Sequence, residues 1–321
     1  MTEQQPIQEL KNWLGQHIVG QGQLIERILI ALLADGHLLV EGAPGLAKTK
    51  AIKTLSDGIE GDFHRIQFTP DLLPGDVTGT DIFRPEDGSF EFQRGPIFHN
   101  LVLADEINRA PAKVQSALLE AMAERQVSVG STTFPLPALF MVMATQNPIE
   151  QEGTYPLPEA QLDRFLLHVN VDYPDAAAER KILSLVRNEA SSATQENPSI
   201  RKLDQQTLFS ARESVLNIHM APAVEEYIVQ LILATREPQK YDPSLANLID
   251  FGASPRGTIA LDRCARAYAW LNGRDFVSPE DVQSVIHDVL RHRLILSFEA
   301  EANGVSPDNV IDQLVSRVPV A

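Results

Sequence analysis

Residues 42–49 read Gly42-Ala43-Pro44-Gly45-Leu46-Ala47-Lys48-Thr49, and what flanks them decides the fold. The apolar run His37-Leu38-Leu39-Val40 comes just before, with the spacing of a buried strand. Ala51, Ile52 and Leu55 come just after and share one face of a helix. A glycine-bearing loop between strand and helix lets backbone N–H groups turn inward onto phosphate oxygens, and the helix N-terminus adds a partial positive charge. In this setting Lys48 reaches the β- and γ-phosphates of a nucleoside triphosphate, and the Thr49 hydroxyl holds Mg²⁺. The segment is a phosphate-binding loop; the competing description is a plain strand-turn-helix with small residues by chance. Ala47 stands where the usual pattern has glycine. Alanine is the smallest replacement, and function is expected to survive it.

Outward from this loop, strands and helices alternate. Leu24, Ile25, Ile28, Leu29, Leu32 and Leu33 mark an amphipathic helix on the N-terminal side. On the C-terminal side, strands are predicted at Phe63 to Phe68, Leu101 to Ala104, Leu139 to Ala144 and Leu166 to Val171, and a helix from Pro111 to Arg125. Two hairpins are predicted between them. One pairs Asp81-Ile82-Phe83 with Phe90-Glu91-Phe92 across Asp87-Gly88, and the other spans Val127 to Leu136, turning at Gly130-Ser131. Alternation with near-continuous apolar strands predicts a parallel sheet covered by helices on both faces.

Beyond Tyr173 the pattern turns helical: Asp175 to Val186, Val224 to Thr235, Ile259 to Leu271 and Pro279 to Leu294, with Ser278-Pro279 as a helix start. Two domains are predicted, an α/β domain over residues 1–172 and an all-helical one over 173–321, with a polar linker near 188–200.

Three further segments carry chemistry. Leu103-Ala104-Asp105-Glu106 ends an apolar strand in two carboxylates. Asp105 is suited to Mg²⁺ and Glu106 to polarising an attacking water; the same pair also fits a helix cap. Ala144-Thr145-Gln146-Asn147-Pro148 follows another apolar strand. Ligands bind at the carboxyl ends of parallel strands, so Asn147 is placed to orient that water, although Asn-Pro also simply opens loops. Arg164 and Arg256 are candidates for the positive charge that phosphoryl transfer needs, with Arg94 and Arg109 behind them. Each also fits a surface or interdomain salt bridge.

The bulk composition narrows the function further. Of 321 residues, 44% are apolar, which is enough for a sizeable core. With 27 basic and 43 acidic residues the formal charge is −16, which disfavours general binding to nucleic acid or anionic lipid. The single cysteine, Cys264, excludes an intrachain disulfide and a cysteine metal cluster, and fits a reducing compartment. The histidines show no metal-ligand spacing. The polar start Met1-Thr2-Glu3-Gln4-Gln5 and the shortness of the longest apolar run, Ile28 to Ala34, predict a cytoplasmic protein with no signal peptide and no membrane span.

The order of these segments is similar to that of AAA+ ATPases, and their wording resembles the MoxR family. The resemblance is carried by residues 42–49, Ala104-Asp105-Glu106-Ile107-Asn108-Arg109-Ala110-Pro111, residues 144–148, Leu157-Pro158-Glu159-Ala160-Gln161-Leu162-Asp163-Arg164-Phe165 and Gly252-Ala253-Ser254-Pro255-Arg256. It runs from about residue 17 to 293, and the alanine before the lysine is part of it. It implies an AAA+ P-loop domain with a parallel sheet, a C-terminal all-helical lid, ATP and Mg²⁺ as ligands, and hydrolysis to ADP and phosphate. Lys48 and Thr49 take the Walker A roles, Asp105 and Glu106 Walker B, Asn147 sensor 1, Arg164 the arginine finger and Arg256 sensor 2. Val19 and Gly20, within Ile18-Val19-Gly20-Gln21, correspond to the segment lining the adenine, and the two hairpins to inserts facing a central pore. It also implies a hexamer, a partner with a von Willebrand factor A domain, and a protein client whose assembly or metal insertion is assisted. A metal-chelatase subunit, a nucleic-acid motor and a slowly hydrolysing nucleotide switch are the rival readings. DNA binding, the partner's identity and the rate of turnover separate them.

Overall fold

Three of the five sheet strands end within a residue of a chemically marked position: Gly42, Asp105 and Asn147. The computed structural model describes residues 3–86, 88–148, 153–191 and 201–320. The strands are β1 (Leu38–Gly42), β2 (Phe63–Gln67), β3 (Leu101–Asp105), β4 (Met141–Gln146) and β5 (Leu167–Val171), in the spatial order β2-β3-β4-β1-β5. The pairs β1/β4, β2/β3 and β3/β4 are parallel. Register opposes Glu41 to Gln146, Ala104 to Ala144 and Gln67 to Asp105. The C-terminal ends of β1, β2, β3 and β4 therefore lie along one rim.

Burial explains the order. β3 is buried along its whole length and β4 at every position but Gln146, so both occupy the middle of the sheet. On β2 only Ile66 is buried, as befits an edge strand. Helices Gly22–Leu33, Lys48–Gly58 and Ala112–Glu124 supply the apolar cover, and Gln4–His17 adds a helix that the motif-centred expectation did not include. Its Ile7, Leu10 and Leu14 are buried.

Both hairpins form. Gly79–Arg84 pairs with Ser89–Arg94, and Gln126–Val129 with Thr132–Pro135. Asp87 of the first expected turn lies outside the described residues, while Gly88 adopts a φ of +67°. Phe92 of one hairpin stacks on Phe134 of the other, with ring centroids 4.1 Å apart. Phe83 and Phe90 at the tip of the first are exposed and touch each other.

The chain divides into two compact units. The first comprises Met1–Leu29, His37–Leu157 and Val169–Leu208; the second comprises Ile30–Gly36, Pro158–His168 and Phe209–Ala321. Helix Ala176–Ser191 runs into the stretch expected as a linker, and residues 192–200 of that stretch lie outside the described residues. In the second unit, helix Pro255–Leu271 packs on Pro279–Leu290 and Pro222–Arg236, burying Leu261, Cys264, Val285 and Val289. Ser254, Ser278 and Ser306 each precede a proline that opens a helix, the arrangement of serine N-cap and proline first residue. Two short ribbons, His219–Met220 with Phe276–Val277 and Ile249–Phe251 with Ile295–Leu296, accompany the helices. No helix among the described residues is long and apolar enough to cross a membrane.

His292 lies in the second unit's core, with Nε2 3.1 Å from the carbonyl of Phe165. Burial, joined by the nearby charges of Arg293, His168 and Arg291, holds its pKa well below the ordinary histidine value. It is neutral when folded, whereas the unfolded chain takes up the proton near pH 6.5, so stability from this group is lost as pH falls below about 6.5. The melting temperature of the wild type is expected to drop more steeply between pH 7.5 and 5.5 than that of His292→Gln. Parallel curves would remove His292 as the cause.

Candidate active site

Gly42, the last residue of β1, has no room for a side chain. A Cβ there would lie 2.6 Å from the carbonyl oxygen of Val171. The loop then turns through two left-handed residues, Gly45 at φ +85° and Ala47 at φ +58°. Glycine takes this conformation freely, while alanine pays about 1 kcal/mol for it. The usual glycine at position 47 is thereby explained, and alanine is tolerated with modest strain.

Helix Lys48–Gly58 begins at once, so Lys48 Nζ is carried to the rim. It donates to the carbonyl of Gly42 at the end of β1 and, at 3.2 Å, to that of Gln146 at the end of β4. Burial pulls the Lys48 pKa below the ordinary lysine range, and the negative charges of Asp105, Glu106 and Glu41 oppose that shift. Lys48, Thr49, Asp105, Glu106 and Asn147 line one cleft of about 300 Å³, with the loop at 44–47 as its wall. These groups suit a magnesium triphosphate: an ammonium, a hydroxyl, two carboxylates and a helix N-terminus. No atom lies within 4 Å of a Cβ built at Gly45, so the loop's concavity has space at that point.

Thr145 fixes the acidic pair. Its hydroxyl donates to Asp105 Oδ1 at 2.5 Å and accepts the backbone N–H of Glu106 at 2.9 Å. Glu106 sits at φ +57°, a left-handed residue without glycine's freedom, so this hydrogen bond secures a strained turn. Asp105 Oδ2 accepts from Arg65 Nε at 3.0 Å and Nη2 at 2.7 Å. Arg65 Nη2 also donates to Gln67 Oε1 at 2.7 Å, and Gln67 Nε2 donates to Glu106 Oε2 at 2.8 Å. Arg109 Nε lies 3.2 Å from the same Glu106 oxygen. Buried Gln115 steadies the following turn, its Nε2 donating to the carbonyls of Ile107, Ala110 and Tyr155.

Arg65, Gln67, Thr145 and Gln115 carried no role in the sequence reading. Alternation along Phe63-His64-Arg65-Ile66-Gln67 puts Arg65 and Gln67 on one side of β2, which is a usable signal once β2 is known to adjoin β3. Val19 and Gly20 are not among the residues lining the Lys48 cleft. Val19 lines a separate open concavity with Arg180, Lys181, Ser184 and Leu185. Gly20, at φ +81°, packs so closely on the start of helix Ala176–Ser191 that a Cβ would meet that of Ala178 at 2.8 Å. Arg94 lies over the ring of Phe98 and is engaged there.

Arg164 and Arg256 belong to the second unit. Arg164 follows the short helix Glu159–Leu162, and its Nε is buried without a hydrogen-bond partner. Arg256 stands in the first turn of Pro255–Leu271, largely exposed, with Nη1 3.8 Å from Asp163 Oδ2. Asp163 Oδ1 in turn holds Arg293 Nε at 2.9 Å.

This sheet order, with a strand-loop-helix phosphate cradle facing acids at the next strand ends, is the build of a P-loop ATPase of the AAA type. Family profiles agree: residues 37–167 match the ATPase family associated with various cellular activities (AAA), and residues 245–314 match the AAA lid domain. Chaperone MoxR1 of Mycobacterium tuberculosis is 49% identical over 94% of this chain and 78% of its own length. Protein MoxR of Paracoccus denitrificans is 35% identical over 94% of this chain and 93% of its own. A solved chain from Cytophaga hutchinsonii, described as a candidate ATPase, superposes with a TM-score of 0.91 at 45% identity, covering 100% of this chain and 96% of that one. The chain belongs to the MoxR family of AAA+ ATPases.

Thr145→Val keeps the side-chain shape and removes both hydrogen bonds to the acidic pair. Leaving these partners unpaired is expected to cost about 1–3 kcal/mol in urea unfolding. ATP turnover is expected to fall at least tenfold through loss of the Glu106 geometry. Unchanged stability and turnover would show that the threonine is incidental.

Proposed function

We propose that the chain binds Mg·ATP at the cleft between β1, β3 and β4 and hydrolyses it to ADP and phosphate, using the cycle to remodel a protein client. The observation that carries this is the convergence of Lys48, Thr49, Asp105, Glu106 and Asn147 on one cleft. Backbone N–H groups at 45–49 and the Lys48 ammonium receive the phosphates, and Thr49 and Asp105 are the residues that would hold Mg²⁺. The ion, when bound, offsets charge on the phosphate oxygens. Glu106 takes a proton from the attacking water and Asn147 orients that water. For this, Glu106 Oε2 has to release Gln67 and Arg109, which hold it in the structure. Asp105, which would hold the ion, also accepts from Arg65.

Arg164 completes the charge clamp from a neighbouring copy, and Arg256 adds a second guanidinium. A homo-oligomer, in this family's style a hexamer, follows from that assignment. The unpartnered Nε of Arg164 supports it, because a buried donor without an acceptor is costly within one chain. Val19 and Gly20 would lie by the adenine. The client's role as an assembly or metal-insertion target, and a partner bearing a von Willebrand factor A domain, rest on family resemblance. The net charge of −16 supports a protein client over nucleic acid, and the single cysteine supports the cytoplasm.

Turnover and nucleotide affinity separate the roles. Lys48→Ala is expected to lose ATP binding, whereas Glu106→Gln is expected to bind ATP and hydrolyse it at least 100-fold more slowly. Mixed rings of Arg164→Ala and Glu106→Gln are expected to regain part of the activity, since each copy supplies what the other lacks. Full activity of Glu106→Gln would overturn the assignment of the base, and purely additive loss in mixed rings would overturn action across subunits.

A further inference from the structure

Two arginines are assigned above to the reacting phosphate, and the second unit ties both to one carboxylate. Asp163 directly precedes Arg164. Its Oδ1 accepts from Arg293 Nε at 2.9 Å, and its Oδ2 accepts from Ser254 Oγ at 2.8 Å. Ser254 is the N-cap of the helix that carries Arg256, its Oγ accepting the Arg256 backbone N–H at 3.1 Å. The Arg256 guanidinium stands 3.8 Å from Asp163 Oδ2.

Arg293 does more than neutralise Asp163. Its Nη2 donates to the carbonyls of Phe165 at 2.7 Å and Asp163 at 3.4 Å, and its Nη1 to those of Leu166 at 3.3 Å and Val289. With Nε on Asp163, the fork spends its fixed set of donors on residues either side of Arg164 and on the helix that ends just before Arg293. The Arg293 side chain is only 2% exposed. Arg164 itself takes none of these bonds, and its Nε stays unpartnered.

We infer that Asp163 and Arg293 are a positioning pair that holds the Arg164 turn and the Arg256 helix in one fixed arrangement, so that the two arginines meet the phosphate as a unit. The inference rests on the roles given to Arg164 and Arg256 under the proposed function. Neither Asp163 nor Arg293 touches the nucleotide; their effect passes through the arginines. Lysine at 293 would keep the charge but lose the planar fork that spans the turn.

The test is ATP hydrolysis by Asp163→Asn and Arg293→Lys, with ADP affinity measured separately using a fluorescent ADP analogue. Both variants are expected to lose about tenfold or more in kcat, because small misplacements of charge-stabilising groups are that costly, while ADP affinity stays within about threefold of wild type. The triple variant Asp163→Asn/Arg164→Ala/Arg256→Ala is expected to be no slower than Arg164→Ala/Arg256→Ala. A purely structural role would give multiplied losses, and that result would overturn the inference. Ser254→Ala, a milder change, carries the test if either core variant fails to fold. It is expected to lower kcat about threefold in the wild-type background and not at all beside Arg256→Ala. Wild-type kcat in Asp163→Asn, or in Ser254→Ala where that variant stands in, would also overturn the inference. A wild-type protein that did not hydrolyse ATP would instead overturn the proposed function.

Discussion

The structure depends on keeping one ammonium ion and two carboxylates together at the end of a dry sheet. Lys48, Asp105 and Glu106 are each partly removed from water, and each would be costly alone. The parallel register of β1, β3 and β4 makes the grouping possible, since it brings three C-terminal ends to one rim. Strand-end carbonyls of Gly42 and Gln146 hold the lysine, and Thr145 holds the acids. What remains is a cleft rich in donors, a setting suited to electrostatic stabilisation of a transferred phosphate.

Both acids of the pair at this rim are engaged. Asp105 is shared between Thr145 and Arg65, and Glu106 between Gln67 and Arg109. Such a network holds the two charges in place at the end of β3. Arg65 and Gln67 tie the acids to β2, and the chain runs from β2 toward the first hairpin, whose tip bears exposed Phe83 and Phe90.

The sequence made the centre of the site legible because its signals are local. A strand, a small-residue loop, Lys48-Thr49 and a helix are contiguous, and Asp105 and Asn147 follow strands too apolar to lie anywhere but mid-sheet. The hairpins were legible from turn residues and alternation for the same reason. Helix Gln4–His17 carried an equally plain spacing of Ile7, Leu10 and Leu14 but lay outside the motif-bearing region. The supporting residues were not legible, because their partners are remote. Arg65 meets Asp105 forty residues on, Gln115 meets Tyr155 across the same separation, and Asp163 meets Arg293 130 residues on. Pairing register and core packing set such contacts, and no spacing rule along the chain reports them. The left-handed turn at Ala47 was hidden for another reason: alanine gives no sign of a positive φ, which shows only in the folded loop.

Hydrogen–deuterium exchange of the backbone amides at residues 45–49, with and without Mg·ATP, tests the central claim most directly. If these N–H groups cradle the triphosphate, their exchange slows markedly when the nucleotide is added to the wild type and does not slow in Lys48→Ala. Equal exchange with and without nucleotide at concentrations where ATP is bound would contradict the account, because the phosphates would then sit somewhere other than this loop.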